Sequence, residues 1–87
     1  AGEAEVRVAC RTVCALSVKA GPAGAVTGPL GELASGFQGV ACQAMSDEAP
    51  QLLRCRDALM ATSISVADYH CLRDAKSLAE ARDCDAL

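Results

Sequence analysis

The chain has 87 residues, six of them cysteines, a formal net charge of −3 and a sequence pI of about 4.9. Eight basic residues lie interspersed with eleven acidic ones, which argues against a nucleic-acid binder or a polybasic membrane-surface binder. The longest uncharged run, Leu33 to Ser46, is too short for a membrane-spanning helix, which takes about 20 apolar residues.

There is no asparagine, so N-linked glycosylation is excluded. No charged-then-apolar leader precedes Ala1-Gly2-Glu3, as expected of a mature product or of a piece that begins after a leader. The length suits a single domain over 1–87. Phe37 and Tyr69 are the only aromatics, while eighteen residues are alanine and seven are glycine. Burying alanine returns little against the entropy of ordering a chain, about 1.5 kcal/mol per residue. Three disulfides at about 2–4 kcal/mol each are comparable with the whole net stability of a small domain. The even cysteine count therefore predicts a disulfide framework and an oxidising compartment, secreted or periplasmic. Its expected members are Cys10, Cys14, Cys42, Cys55, Cys71 and Cys84.

Glu3 to Ala20 has helical periodicity, with Val6, Cys10, Val13, Cys14 and Ser17 on one stripe and Leu16 at its edge. Glu3 and Glu5 at the start and Lys19 at the end suit the helix dipole, and Gly21-Pro22 stops the pattern. The stretch Gly21 to Gly31 is rich in breakers and predicts a loop, with a second helix starting near Pro29. That helix is expected to reach about Met45, with Leu33, Phe37, Val40 and Ala44 on one face and Gly36 and Gly39 permitting close packing. Ser46-Asp47-Glu48-Ala49-Pro50 predicts a third helix, capped by Ser46 or Asp47 and running to about Ala61, with Leu52, Cys55 and Leu59 as its core stripe. Thr62 to Ser65 predicts a turn. Ser65-Val66-Ala67-Asp68 and Ser77-Leu78-Ala79-Glu80 are capping-box patterns. They place a fourth helix at about Val66–Lys76 and a fifth at about Leu78–Cys84, the alternative being one continuous helix.

A short cysteine-then-Asp-Ala signature recurs at Cys55, Cys71 and Cys84, and the last four cysteines are 13, 16 and 13 residues apart. Each predicted turn falls near the middle of its interval, so these spacings suit bridges across helical hairpins. Cys10 and Cys14 are poor partners for one another, because both project outward from one helix. They are better placed as two anchors tying the first helix to later elements. Fifteen connectivities are open. The spacing favours Cys42–Cys55, with Cys10 and Cys14 sharing Cys71 and Cys84. A rival set has Cys42–Cys55 and Cys71–Cys84 as hairpin clips and leaves Cys10 and Cys14 free or strained.

The positions of Cys10, Cys14, Cys42 and Cys55 partly resemble those of the saposin-like family. Cys71 and Cys84 would stand at that family's last two positions. The departures are a Cys-x-x-x-Cys first pair in place of Cys-x-x-Cys, and a longer Cys71 to Cys84 interval. The resemblance implies a bridge between helices 2 and 3, nested bridges from helix 1 to the C-terminal part, and interaction with lipid.

Chemistry-bearing constellations are sparse. Cys10 and Cys14 with His70, the only histidine, offer two sulfurs and a nitrogen to a soft metal. As a thiol-redox pair the same cysteines sit mid-helix, where no dipole lowers a thiol pKa. Asp47 and Glu48 fit helix-start charges, and Asp83 and Asp85 fit ordinary solvated acids; no nucleophile-elbow pattern accompanies them. The Arg-Asp pairs beside the later cysteines fit a solvated face.

These residues predict an all-α, compact array of four to five short helices joined by brief turns and stapled by disulfides. No catalytic, cofactor-binding or metal residue is assigned. The expected role is a non-enzymatic interaction module with a protein partner, without cofactor, nucleic acid or transmembrane segment. The alternatives are a metal-handling or thiol-redox protein using Cys10 and Cys14, and a lipid-interacting module using Gly21–Val40 and Phe37.

Overall fold

The computed structural model describes residues 2–21, 28–37 and 41–84. Its described residues form five α-helices and one 3-10 turn, with no strand among them. The helices are α1 (Glu3–Ala20), α2 (Pro29–Gly36), α3 (Pro50–Ala61), α4 (Val66–Asp74) and α5 (Leu78–Asp83); the 3-10 turn, Cys42–Ala44, lies between α2 and α3.

The first helix is the axis of the fold. Gly2 opens it in extended backbone, and with no side chain of its own it receives only half a capping box: its N–H donates to Glu5 Oε1 at 3.1 Å. Gly21 closes it at φ +64°, a conformation that favours glycine, with its N–H bonded to the Ser17 carbonyl at 3.0 Å. Between these ends Val6, Ala9, Cys10, Val13, Cys14, Leu16 and Ser17 are buried. The Ser17 hydroxyl donates to the Val13 carbonyl at 2.7 Å, so this polar group enters the core with a partner. Every other element, including the 3-10 turn, packs against α1.

The second helix starts at Pro29 but ends at Gly36 rather than near Met45. Its core residues are Leu30 and Ala34, continued by Phe37 just past its end; of the expected face of Leu33, Phe37, Val40 and Ala44, Phe37 is the one buried among the described residues. Leu33 is half-buried and Ala44 is exposed, while Gly39 and Val40 lie outside the described residues. Phe37, at 1% exposure the largest of the fully buried side chains, sits at the helix end as its C-cap residue.

The third helix also begins later than its polar start signal suggested. Pro50 is the first helical residue and Ala49 the N-cap, without a side-chain cap; neither Ser46 nor Asp47 serves. Leu52, Cys55 and Leu59 form its buried stripe, as their spacing predicted. It ends at Ala61, where Thr62 and Ser63 turn the chain and Ser63 takes φ +52°.

The last two helices are separate. Ser65 and Ser77 accept hydrogen bonds from Asp68 N–H and Glu80 N–H at 3.1 and 3.2 Å. The Glu80 carboxylate also reaches back to the Lys76 N–H at 2.6 Å. Extended backbone at Ala75 ends α4 at Asp74, two residues before the expected Lys76, and α5 stops at Asp83 with Cys84 as its cap. Tyr69, Leu72, Leu78 and Ala81 turn inward and join the α1 core.

Candidate functional site

The cysteines are assembled by α1. Cys10 bridges to Cys55 of α3, Cys14 to Cys42 of the 3-10 turn, and Cys71 to Cys84 across the α4–α5 hairpin; each pair has its Cα atoms 5.9 Å apart. Cys10 and Cys14 do anchor α1 to two separate elements, but the elements are α3 and the 3-10 turn, not the C-terminal helices. The favoured Cys42–Cys55 bridge does not form. Cys42 is not on α2 facing α3, because α2 stops at Gly36 and Cys42 lies in the 3-10 turn, which packs against α1. The hairpin argument holds for Cys71–Cys84, where the bend at Ala75–Ser77 lies midway between the two residues. The nested helix-1 bridges implied by the saposin-like resemblance are likewise not formed, since both helix-1 cysteines find partners before α4 begins.

Cys10, Cys14 and Cys55 are fully buried, and among the described residues no cysteine is free. In this oxidised state Cys10 and Cys14 offer no thiolate to a metal or a disulfide substrate. His70 is exposed on α4, edge-on to the Tyr69 ring at 5.2 Å, and does not join them. Among the described residues no three His, Cys, Asp or Glu side chains gather as a metal-ligand set. Asp85 lies outside the described residues, as do residues 22–27 and 38–40 of the Gly21–Val40 lipid segment; Phe37 is buried and presents no apolar surface to a bilayer.

Arg11 is the residue that spacing alone did not single out. One turn before Cys14, its Nη1 donates to the Cys42 carbonyl at 3.1 Å and its Nη2 to the Met45 carbonyl at 3.0 Å and to Asp47 Oδ1. The chain around the 3-10 turn is thus held to α1 by a covalent bond and a forked guanidinium. The hydrogen bond from Arg11, reinforced by its charge, holds the Asp47 carboxyl below the usual aspartate range. Asp47 is therefore a tether for this segment, not a helix cap. Beside it, Arg7 pairs with Glu3 at 2.9 Å, and Arg56 of α3 pairs with Glu3 and Asp57 at 3.1 and 3.0 Å. On α4, Arg73 grips Asp74 through two nitrogens at 2.9 and 3.1 Å and lowers its carboxyl pKa. These pairs form the solvated charged face.

Between these charged residues, α1 also exposes small apolar side chains. Ala4, Val8, Ala15 and Val18 are exposed, the two valines at 43%, and the half-buried Thr12 between them bonds its hydroxyl to the Val8 carbonyl at 3.2 Å. These side chains span about 21 Å at the helical rise of 1.5 Å per residue. At their C-terminal end lies a groove of about 380 Å³ lined by Ala15, Val18, Lys19, Ala41, Cys42 and Gln43. Lys19 supplies the one charged side chain of that lining. The surface is apolar with a cationic rim, and its two walls are tied together by Cys14–Cys42.

No family model, curated protein or solved structure matches the chain. The three disulfides agree with an oxidising compartment. No helix among the described residues is long and apolar enough to cross a membrane.

Proposed function

We propose that the protein is a small, non-enzymatic extracytoplasmic interaction module, secreted or periplasmic. In this reading it presents the exposed small apolar side chains of α1 and the adjoining groove to a protein partner. The observation that carries the reading is the double clamp on that surface. Cys14–Cys42 and the Arg11 fork fix the groove wall, and Cys10–Cys55 fixes α1 itself. A surface ordered before binding loses little conformational entropy when a partner docks. An apolar patch with a polar rim is also the composition of a protein-binding surface.

The test is to immobilise the oxidised protein and pass the extracellular protein fraction of its source over it, in parallel with Val18→Glu and Ala79→Glu variants. Val18 lines the groove, whereas Ala79 is exposed on α5. Retention of a discrete partner by the parent and by Ala79→Glu, but not by Val18→Glu, supports the reading. Equal retention by all three sinks it. Binding of the oxidised protein to lipid vesicles in place of any protein favours the lipid module. A stoichiometric metal with Cys10 and Cys14 open to alkylation favours the metal-handling or thiol-redox alternative.

A further inference from the structure

The three disulfides differ in their access to solvent and in what they hold. Cys10 and Cys55 are both fully buried. Cys14 is fully buried and its partner Cys42 half-buried. Cys71 is exposed on α4, while its partner Cys84 is 4% exposed beneath the end of α5. The first two bridges clamp α1 to α3 and to the 3-10 turn; the third alone ties α5 to α4.

We propose that Cys71–Cys84 is a redox latch: a dithiol reductant opens it selectively and releases α5 from α1 while the α1–α3 clamp stays closed. The reductant's thiolate attacks the sulfur of the exposed Cys71, forming a mixed disulfide. The Cys71–Cys84 bond breaks, and its electron pair leaves on the Cys84 sulfur, which takes a proton from water. The Glu80 carbonyl, 3.6 Å from that sulfur, is placed to accept the new S–H. The reductant's second thiol then attacks its own sulfur in the mixed disulfide and frees Cys71 as a thiol. Two electrons have passed to the protein, and the reductant departs as a disulfide.

Release follows from what remains. The six-residue α5 is too short to persist alone. Without the bridge its covalent tether is the Ala75–Ser77 bend, and its apolar anchors are Leu78 and Ala81. Its departure bares the surfaces of α1 and α4 against which it packs, so a local redox event changes the exposed face of the central helix. The inference does not depend on which partner the groove takes.

Graded reduction of the native protein with dithiothreitol, quenched by alkylation and mapped by peptide mass spectrometry, tests it. Cys71 and Cys84 are expected to label together, with the other four cysteines labelled less than about one-tenth as much at the same reductant concentration. Hydrogen exchange over residues 76–84 should rise by about tenfold or more, while residues 6–20 and 52–61 keep their protection. A Cys71→Ser/Cys84→Ser variant should show the same exchange pattern without reductant; if it does not fold, graded reduction of the parent decides. Opening of Cys14–Cys42 first, or of all three bridges in one step, overturns the proposal. So does reduction of Cys71–Cys84 that leaves α5 protected.

Discussion

Cys14 is bonded to the side chain of Cys42, and Arg11, one turn earlier on α1, donates to the carbonyl of that same Cys42 at 3.1 Å. A single residue between α2 and α3 is thus held through its side chain and its backbone from adjacent turns of one helix. The arrangement positions a segment that has little regular structure of its own. The 3-10 turn has three residues, none of them buried.

Removing the guanidinium should therefore loosen the groove wall without unfolding the protein. Arg11→Met strips partners from the Cys42 and Met45 carbonyls, and hydrogen bonds to charged groups contribute about 1.5–3 kcal/mol each when well ordered. At 36% side-chain exposure, Arg11 is expected near the lower end, with a loss of about 2 kcal/mol in urea unfolding. Arg11→Lys should recover only part of this, since an ammonium cannot reproduce the fork. The exchange rates of the 41–47 amides should rise in both variants while those of α4 stay unchanged.

The bridges differ in the length of chain they close, with sequence separations of 45, 28 and 13 residues. On the chain-entropy relation these correspond to about 4.0, 3.6 and 2.9 kcal/mol. Paired Cys→Ala replacement should destabilise the protein in the order Cys10–Cys55, Cys14–Cys42, Cys71–Cys84, with the first pair costing most because both of its side chains also fill the core. Thermal unfolding of the three double variants under one condition checks the order; a larger loss from Cys71–Cys84 would contradict it.

Much of this fold was readable from residue types acting locally. The α1 stripe, the stop at Gly21, the α3 stripe of Leu52, Cys55 and Leu59, and the two serine caps depend on spacing and nearest neighbours. What spacing did not give was set at long range. Cys14 and Cys42 are 28 residues apart and Cys10 and Cys55 are 45 apart; nothing near Cys42 in sequence shows that α2 ends at Gly36 and leaves it free to meet α1. The polar run Ser46-Asp47-Glu48 looked like a cap because Asp47 suits one, but Arg11, 36 residues away, takes its carboxylate. The groove combines residues of α1 with Ala41, Cys42 and Gln43, so it was legible only once that pairing was known.

The serine caps should be unequal in effect. Ser65→Ala and Ser77→Ala each remove an N-cap acceptor, which costs about 1 kcal/mol in typical helices. Ser65 caps nine residues, but Ser77 caps six, and Glu80 adds a second bond at the same start. Ser77→Ala should therefore raise hydrogen exchange throughout α5, whereas Ser65→Ala should fray only the first turn of α4. Circular dichroism alone would not separate them; residue-resolved exchange would.

Phe37 offers the clearest measure of the core. It is the only phenylalanine and is 1% exposed just beyond α2. Phe37→Ala should cost about 3–5 kcal/mol, through lost burial and the cavity left behind, with Phe37→Leu well below that. In a chain with one phenylalanine, one tyrosine and no tryptophan, few side chains have the volume to refill the space. A loss under about 1 kcal/mol for Phe37→Ala would mean that α2 contributes little to the core.

Acid should weaken the fold through Asp47 and Asp74. Both carboxyls lie below the usual aspartate range, chiefly because Arg11 and Arg73 respectively donate hydrogen bonds to them and secondarily because of the guanidinium charges. A folded-state pKa below the unfolded one stabilises the protein fully above the unfolded value, near 3.9 for aspartate, and that contribution is lost as pH falls through the folded value. Urea midpoints should accordingly hold steady down to about pH 5 and decline below about pH 4. Asp47→Asn with Asp74→Asn should lower the midpoint at neutral pH and flatten part of the acid decline. Because both side chains are more than half exposed, at 59% and 66%, added salt should reduce the difference between the double variant and the parent. An unchanged acid slope in the double variant would assign the decline to other carboxylates.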